Sequence, residues 1–469
     1  MPDNNGGDDT AQVTGDVTAY VTTVSRSSDL KKTAFAFSTT SIELAATVFL
    51  RPTQRYQTMD GFGAAITGSS CYNLLRMNQD DRTAFLKETF SVAEGLGFSY
   101  VRVAIGCSDF SLSEYTCWEN REAGFALTNE ETQYVIPVLK EILAINPDLK
   151  ILGSPWTCPR WMKVNNLTDL QPYNSWTSGQ LNPACYQDYA DYFVHWITAF
   201  GKEGIPVYAV TPQNEPLNRG NSASLYMGWA EQRDFVNTAL APKIKANRLH
   251  TKVYLFDHNY NYDDMSDQTD YPVKIYTSGV DDDVVAGAAY HNYGGNRSEL
   301  NDIHNQAPDK ELIFSEASIG TWNDGRNLER SLLRDMEDIG LGTVTNWCKA
   351  AIVWNLMLDS ERGPNRDGGC QTCYGSVDID ISDFKTISRN SHYYVIAHLS
   401  SVVKPDATRI GASGYAPEGI TYAAFENADG SFAIVAMNKN SAPQTITFND
   451  HTHHFTYTLP AQSVVSLKW

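Results

Sequence analysis

Pro206-Val207-Tyr208-Ala209-Val210-Thr211-Pro212-Gln213-Asn214-Glu215-Pro216 is a short, largely apolar run that ends in a turn carrying a carboxylate. A run of this length, bounded by prolines, reads as a buried strand, with Glu215 standing where the strand stops and a loop begins. Working outward, seven runs of the same kind accompany it: Thr58 to Ala64, Ser99 to Ile105, Lys150 to Ser154, Lys252 to Asp257, Val284 to Tyr290, Glu311 to Ser315 and Ala350 to Asn355. Helical stretches lie between them, among them Glu130 to Ile145, Cys185 to Lys202, Trp229 to Ala246 and Arg326 to Ile339. Strands alternating with helices are the mark of parallel βα units, and eight such strands close a barrel. In the stretch from Cys185 to Lys202, Tyr189, Phe193, Trp196, Ile197 and Phe200 share one helical face and belong to the core.

The two ends of the chain have a different texture. Residues 17–57 are strand-like, with Ala19 to Val24 and Val48 to Leu50 set among Ser and Thr. From about residue 401 short alternating runs return: Ile420 to Phe425, Ser431 to Met437, Gln444 to Phe448, His454 to Leu459 and Ser463 to Leu467. Turn residues separate them, as in an antiparallel sandwich. The N-terminal strands have no partner of their own, and joining this sandwich is their simplest fate. The expected fold class is therefore α/β, a (β/α)8 TIM barrel with a flanking antiparallel β-sandwich built from both chain ends. The expected division is a flexible tether over 1–16, sandwich strands over 17–57, the barrel over 58–400 and the rest of the sandwich over 401–469.

The 469 residues suit a barrel of about 250 residues enlarged by long loops plus a smaller domain. A formal charge of −19 repels nucleic acid and anionic membranes, so a neutral polymer is the better-matched partner. Aromatic content of 12%, with 10 Trp and 25 Tyr, favours a ligand with flat apolar faces such as a sugar ring. There is no 18-residue apolar run to cross a membrane. The polar start Met1 to Asp9 is no secretion signal, and the expectation is that a leader preceded it and was removed. Of the eight cysteines, Cys107 with Cys117 and Cys370 with Cys373 could bridge in an oxidising compartment, whereas Cys71, Cys158, Cys185 and Cys348 read as buried thiols. Cys370-Gln371-Thr372-Cys373 stands alone, without a second pair at zinc-site spacing, and no metal or organic cofactor is expected.

A second strand-end carboxylate, Glu316, follows Leu312-Ile313-Phe314-Ser315. On the strand count Glu215 ends strand four and Glu316 ends strand seven, on opposite sides of one barrel mouth. Two such carboxylates are the minimum equipment for cleaving a glycosidic bond. A separation of about 5 Å implies retention of configuration and about 6.5–9.5 Å implies inversion, and both readings are open from sequence. Singly, either glutamate could be a member of a structural ion pair, Arg102 an interior charge, His291 a core histidine, and Trp156 and Trp354 packing for the barrel top.

Seven motifs in register resemble glycoside hydrolase family 30: Gly61 to Ala65, Tyr100 to Val103 with Cys107 to Phe110, Ser154 to Lys163, Thr211 to Pro216, His291-Asn292-Tyr293, Phe314-Ser315-Glu316 and Trp354-Asn355-Leu356. The family includes lysosomal glucosylceramidase, bacterial endo-β-1,6-glucanases and glucuronoxylanases. The resemblance implies a retaining mechanism, with Glu215 as acid/base and Glu316 as nucleophile. It assigns Asp109, Trp156 and Trp354 to the glucose-binding −1 subsite. Asn214 is placed to hydrogen-bond the sugar 2-hydroxyl, His291 and Tyr293 to orient the nucleophile, and Arg102 to hold Glu316 ionised. Ionised Glu316 is expected to raise the proton affinity of Glu215. Trp322, beside the nucleophile, is a candidate wall of the cleft.

The departures from the family bear on substrate. Lysosomal glucosylceramidases have Asp directly before the Trp-Asn pair, where this chain has Val353, and the loop Gly363 to Cys373 also differs. The insertion Asn165 to Pro183 and the loop Arg219 to Ser224 look more like the endo-β-1,6-glucanase branch. A uronate pocket would need a cationic lining, for which only Arg362 and Arg366 stand near the right loop. The expected protein is a secreted, cell-surface or periplasmic retaining endo-β-1,6-glucanase acting as a monomer on neutral β-glucan. An exo-acting β-glucosidase or glucosylceramidase-like hydrolase, and a non-catalytic glucan-binding protein, are the alternatives.

Overall fold

The computed structural model describes residues 14–40, 45–260 and 265–469. Most of the expected tether, residues 1–13, lies outside the described residues. Eight parallel strands close a barrel: β1 Gly61–Ala65, β2 Tyr100–Ala104, β3 Lys150–Ser154, β4 Ala209–Val210, β5 Lys252–Asn259, β6 Val285–His291, β7 Glu311–Glu316 and β8 Cys348–Asn355. Each coincides with one expected run. The shortest is β4, because the chain leaves the sheet immediately to form the loop that carries Glu215.

Tyr100, Leu152, Ala209, Tyr254, Ala289, Ile313, Ala350 and Ile352 pack together as a cluster contributed by the barrel strands. Glycine is needed where strands crowd: a Cβ on Gly63 would stand 2.0 Å from the Tyr100 carbonyl oxygen. The bottom of the barrel is closed by charge, since Glu311 receives Lys252, Lys349 and the Tyr254 hydroxyl while Asp60 receives Lys150. A broad apolar groove of ≈ 1150 Å³, lined by Leu149, Pro206, Val207, Tyr208 and Leu249 among others, opens at this same end. In barrels, chemistry sits at the other end, where the strand C-termini are.

Two of the long helices contain a π-turn just ahead of a proline. Glu131–Val135 precedes Ile136–Ile145, which carries Pro137, and Val236–Leu240 precedes Ala241–Ala246, which carries Pro242. Proline has no N–H and crowds the carbonyl four residues earlier, so the ladder widens there. The freed carbonyl of Thr238 is taken by Gln187 Nε2 at 3.0 Å.

The second domain is one nine-stranded sheet in the order Lys31–Phe35, Val17–Thr23, Ser463–Lys468, Phe432–Asn438, Ile420–Glu426, Thr408–Tyr415, Thr47–Thr58, Gln444–Asn449, His454–Leu459. N- and C-terminal strands interleave, with Val17–Thr23 pairing antiparallel to Ser463–Lys468. One pairing departs from the expected antiparallel pattern, because Gln444–Asn449 runs parallel to Thr47–Thr58. Val17, Val48, Leu50, Ile434, Phe448, Phe455 and Leu467 belong to the shared core of this domain. The buried His398 joins it to the barrel, bonding Ser466 Oγ and Thr22 Oγ1, both at 2.8 Å.

Cys370 and Cys373 form a disulfide. Cys107 and Cys117 do not pair, which corrects the bridge considered for them: both are buried thiols, and Cys117 Sγ donates to Glu131 Oε1. No helix among the described residues is long and apolar enough to cross a membrane.

Candidate active site

Every expected site residue except Trp322 follows or sits within a barrel strand at its C-terminal end, and Trp322 lies in the loop after β7. A cleft of ≈ 350 Å³ opens there, lined by Asp109, Glu215, Glu316, Tyr293, Trp322 and Trp354 among others. Glu215 and Glu316 are 7% and 6% exposed, and one oxygen of each lies within 4.8 Å of the other.

The centre of the site is Arg102, wholly buried on β2. Its Nη1 donates to Glu316 Oε2, and its Nη2 donates to Asn214 Oδ1 and Asp257 Oδ2, both at 2.7 Å. Trp156 and Trp354 stack at 5.1 Å between centroids, and the guanidinium lies over both rings, 4.8 Å and 5.6 Å away. A buried guanidinium with two carboxylates, an amide oxygen and two aromatic faces is satisfied on every side.

Asp257 is the site residue that sequence reasoning missed. It accepts from Arg102, Thr211 Oγ1, Ser315 Oγ and His291 Nε2, and it is completely buried. Burial alone would raise its carboxyl, but Arg102, His291 and the Ser315 hydroxyl hold it far below the usual carboxylate range. Phe256 and Asp257 both have positive φ, at 69° and 68°, and the pairing of β5 with β6 slips between Phe256 and His258. This bulge turns the acid into the barrel. The available signal was an acid closing the apolar run Val253 to Phe256.

Glu215 is likewise in the left-handed region, at φ 44°, a conformation held by its N–H donating to the Asp257 carbonyl at 2.9 Å. Its Oε2 accepts from Asn218 Nδ2 and Asn221 Nδ2, both at 2.8 Å, and its Oε1 faces His291 Nδ1 at 3.3 Å. Burial pushes the carboxyl up, but the His291 hydrogen bond, the field of His258 and His291 and the Asn218 bond overrule it and take it down to about 2. That direction is opposite to the expected one, because the imidazole beside Glu215 outweighs the more distant Glu316. For His291, burial favours the neutral ring, but Glu316, Asp257 and the bonds to Asp257 and Glu215 raise it to about 9.

Glu316 is held by Arg102 on Oε2 and by the Tyr293 hydroxyl on Oε1 at 2.8 Å. Burial nevertheless lifts its carboxyl above the ordinary value, against the pull of His291 and Arg102. Tyr293 therefore contacts the Glu316 carboxylate as expected, whereas His291 bonds Glu215 and Asp257 instead. Asp109 is pushed up to about 8 by burial and by Glu316 and Glu215, and its buried Oδ1 has no protein partner. Trp354 reaches the cleft, while Trp156, 1% exposed, stands beneath it and is not among the lining residues. Trp322 is 53% exposed on the rim.

Two cations, Lys163 buried and Arg366 partly buried, set the loops around the cleft, and neither was expected to. Lys163 Nζ donates to the carbonyls of Ser175, Ser178 and Ser224 at 2.9, 2.8 and 2.8 Å, with Trp176 at 3.3 Å. Arg366 donates to the Ser108 and Ser222 carbonyls and to Glu114. Arg362 bonds the Gln371 carbonyl. The cationic side chains considered for a uronate pocket are thus engaged in tying loops. Glu215, His291 and Glu316 are also the set among the described residues whose donor atoms could surround a metal ion. Arg102 and Asp257 already hold two of the three in hydrogen bonds.

A closed parallel barrel with a carboxylate pair at its C-terminal mouth and a side sandwich is the architecture of a barrel glycoside hydrolase. The chain belongs to glycosyl hydrolase family 30: residues 59–403 match the family's TIM-barrel domain and residues 406–467 its beta sandwich domain. It is 32% identical over 404 residues to the endo-1,6-beta-D-glucanase BGN16.3 of Trichoderma harzianum, covering 81% of this chain and 78% of that protein. It is 30% identical over 438 residues to putative glucosylceramidase 2 of Caenorhabditis elegans, covering 88% and 81%. Among solved structures, the endo-beta1,6-glucanase BT3312 superposes with a TM-score of 0.96 at 62% identity, covering 97% of this chain and 99% of that one.

Proposed function

We propose that the protein is a retaining endo-β-1,6-glucanase, with Glu316 the nucleophile and Glu215 the acid/base. The observation that carries the mechanism is the approach of the two carboxylates, with oxygens within 4.8 Å, because an inverting enzyme must leave room for a water between them. The linkage is supported by the likeness to proteins named endo-β-1,6-glucanases, 62% identical in one case.

In the first step a Glu316 oxygen attacks the anomeric carbon while the glycosidic oxygen leaves with a proton from Glu215. In the second, Glu215 takes a proton from water, whose oxygen displaces Glu316 from the same carbon. Two displacements restore the starting configuration. The Arg102 and Tyr293 hydrogen bonds keep the attacking carboxylate in place. Arg102 takes the Asn214 oxygen, which turns the amide NH2 toward a sugar 2-hydroxyl. Asp109 offers its unpartnered oxygen to the sugar hydroxyls, and Trp354 offers an apolar floor. The Cys370–Cys373 disulfide suits an oxidising, extracytoplasmic location.

The test is hydrolysis of linear β-1,6-glucan followed by NMR of the newly formed anomeric centre. Release of the β-anomer together with a ladder of oligosaccharides is the expected result. Initial release of the α-anomer would overturn retention, and glucose as the sole early product would overturn endo action. Glu316→Gln should abolish turnover while glucan binding persists; unchanged hydrolysis would refute the nucleophile. The same variant separates the enzyme from a non-catalytic glucan-binding protein, whose properties it would not alter.

A further inference from the structure

We propose that His291 stores the proton that Glu215 delivers to the leaving oxygen, the two side chains acting as a single protonic unit along the Nδ1···Oε1 line. The inference rests on Glu215 being the acid. It follows from which atoms are already taken. Glu215 Oε2 accepts two amide N–H groups, from Asn218 and Asn221. The orientation of Asn218 is fixed, since its Oδ1 accepts from the Gly220 N–H at 2.8 Å. The oxygen left to carry a proton is therefore Oε1, the one facing His291 Nδ1 at 3.3 Å.

The opposite side of the ring is equally determined. Asp257 accepts from Arg102, Thr211 and Ser315 as well as from His291, so it remains ionised and Nε2 must be the donor. Nδ1 alone is free to change state, and a single proton lies on the line between it and Oε1. On transfer the Nδ1–H bond breaks and Oε1–H forms. Oε1–H then gives its proton to the glycosidic oxygen as the bond to the anomeric carbon breaks and Glu316 bonds that carbon. His291 is left neutral, with Nε2–H still on Asp257. In the second step the proton that Glu215 takes from water returns to Nδ1, and the cycle closes without an external acid.

The groups facing the pair are Arg102 on β2, Asp257 and His258 on β5, Glu316 on β7, Tyr293 beyond β6 and Asp109 beyond β2. The same neighbours hold the Glu215 carboxyl down and the His291 imidazole up, the direction that a proton kept on the ring beside Oε1 requires. His291 acts through Glu215 and is thus a positioning and proton-holding residue.

The test is the pH profile of kcat/KM on β-1,6-glucan for the wild type and His291→Gln. The variant should lose roughly 100-fold or more at neutral pH, the usual scale of acid catalysis. Its alkaline limb should move to lower pH by about two units, a shift within the range that neighbouring charge produces. On 2,4-dinitrophenyl β-gentiobioside, whose leaving group needs no proton, the loss should stay within about tenfold. A limb that stays in place, or moves to higher pH as it would if His291 only held Glu215 ionised, overturns the proposal. Should the variant not fold, 15N-histidine NMR decides between the wild type and the isosteric Glu215→Gln. Nδ1 is expected to lose its proton at lower pH in the variant, and identical titration in both overturns the proposal. Trapping of a glycosyl ester on Glu316 in Glu215→Ala with the dinitrophenyl substrate tests the carboxylate assignment separately, so the two readings can fail independently.

Discussion

Replacing Lys163 with methionine removes a buried cation that, together with the Ser178 N–H to Ser224 Oγ bond, pins the Asn165 to Pro183 insertion to the loop after β4. The residue is 2% exposed, and its ammonium makes three bonds of 2.8–2.9 Å to main-chain carbonyls of Ser175, Ser178 and Ser224. Hydrogen bonds from a charged group each contribute about 1.5–3 kcal/mol. Against this, burial pushes the Lys163 ammonium down to about 8, a penalty of about 3 kcal/mol on its charged form. The balance is a loss of roughly 2–6 kcal/mol in Lys163→Met, a large part of the stability of an ordinary domain. The effect should also reach the chemistry, because Asn221, which donates to Glu215, lies three residues before Ser224. Urea unfolding followed by tryptophan fluorescence measures the first, with Trp176 in the affected loop, and kcat/KM on β-1,6-glucan measures the second. A midpoint equivalent to less than about 0.5 kcal/mol of change, with kcat/KM within about twofold of wild type, would refute this account of the loop.

Three further outcomes follow from the site. Asp257→Asn should cost about 3–5 kcal/mol, because it removes charge from a buried pair. The Asp257 carboxyl is held low when folded, so its contribution is complete above the unfolded value near pH 4 and fades as pH falls below it; the gap between variant and wild type in thermal unfolding should narrow in stronger acid. Trp322→Ala should raise KM about threefold to tenfold with kcat little changed, matching the loss of one ring–sugar contact, and an unchanged KM would remove Trp322 from the cleft wall. Alkylation of the unfolded, unreduced chain should modify six of the eight cysteines, with Cys370 and Cys373 labelled only after reduction; eight labels without reductant would exclude the disulfide.

The barrel was legible because each strand is a short apolar run with its own punctuation, and periodicity is a local property. Glu215 and Glu316 were legible for the same reason, as carboxylates at the ends of such runs. The support around them was harder to read. Asp257 turns inward through a bulge that involves two left-handed residues, Phe256 and Asp257, neither of which announces that conformation. Lys163 and Arg366 bind backbone carbonyls, which every residue possesses, so no side-chain pattern marks their partners. His291 lies within 4.8 Å of both carboxylates, but its hydrogen bonds go to Glu215 and Asp257 while the Tyr293 hydroxyl takes Glu316, a choice set by distances that sequence does not contain.

The chain by itself determined the eight strands, the sandwich built from its two ends, the family, and the two carboxylates facing one mouth. Those follow from hydrophobic period and from motif order, which depend on neighbours along the sequence. Only the tertiary structure decided that the carboxylate oxygens approach within 4.8 Å, that Asp257 anchors Arg102 and His291, and that His291 Nδ1 faces Glu215 Oε1. The physical reason is that charge acts through space. A proton's position depends on every donor and acceptor within a few ångströms, and those groups come from strands that lie far apart in the chain.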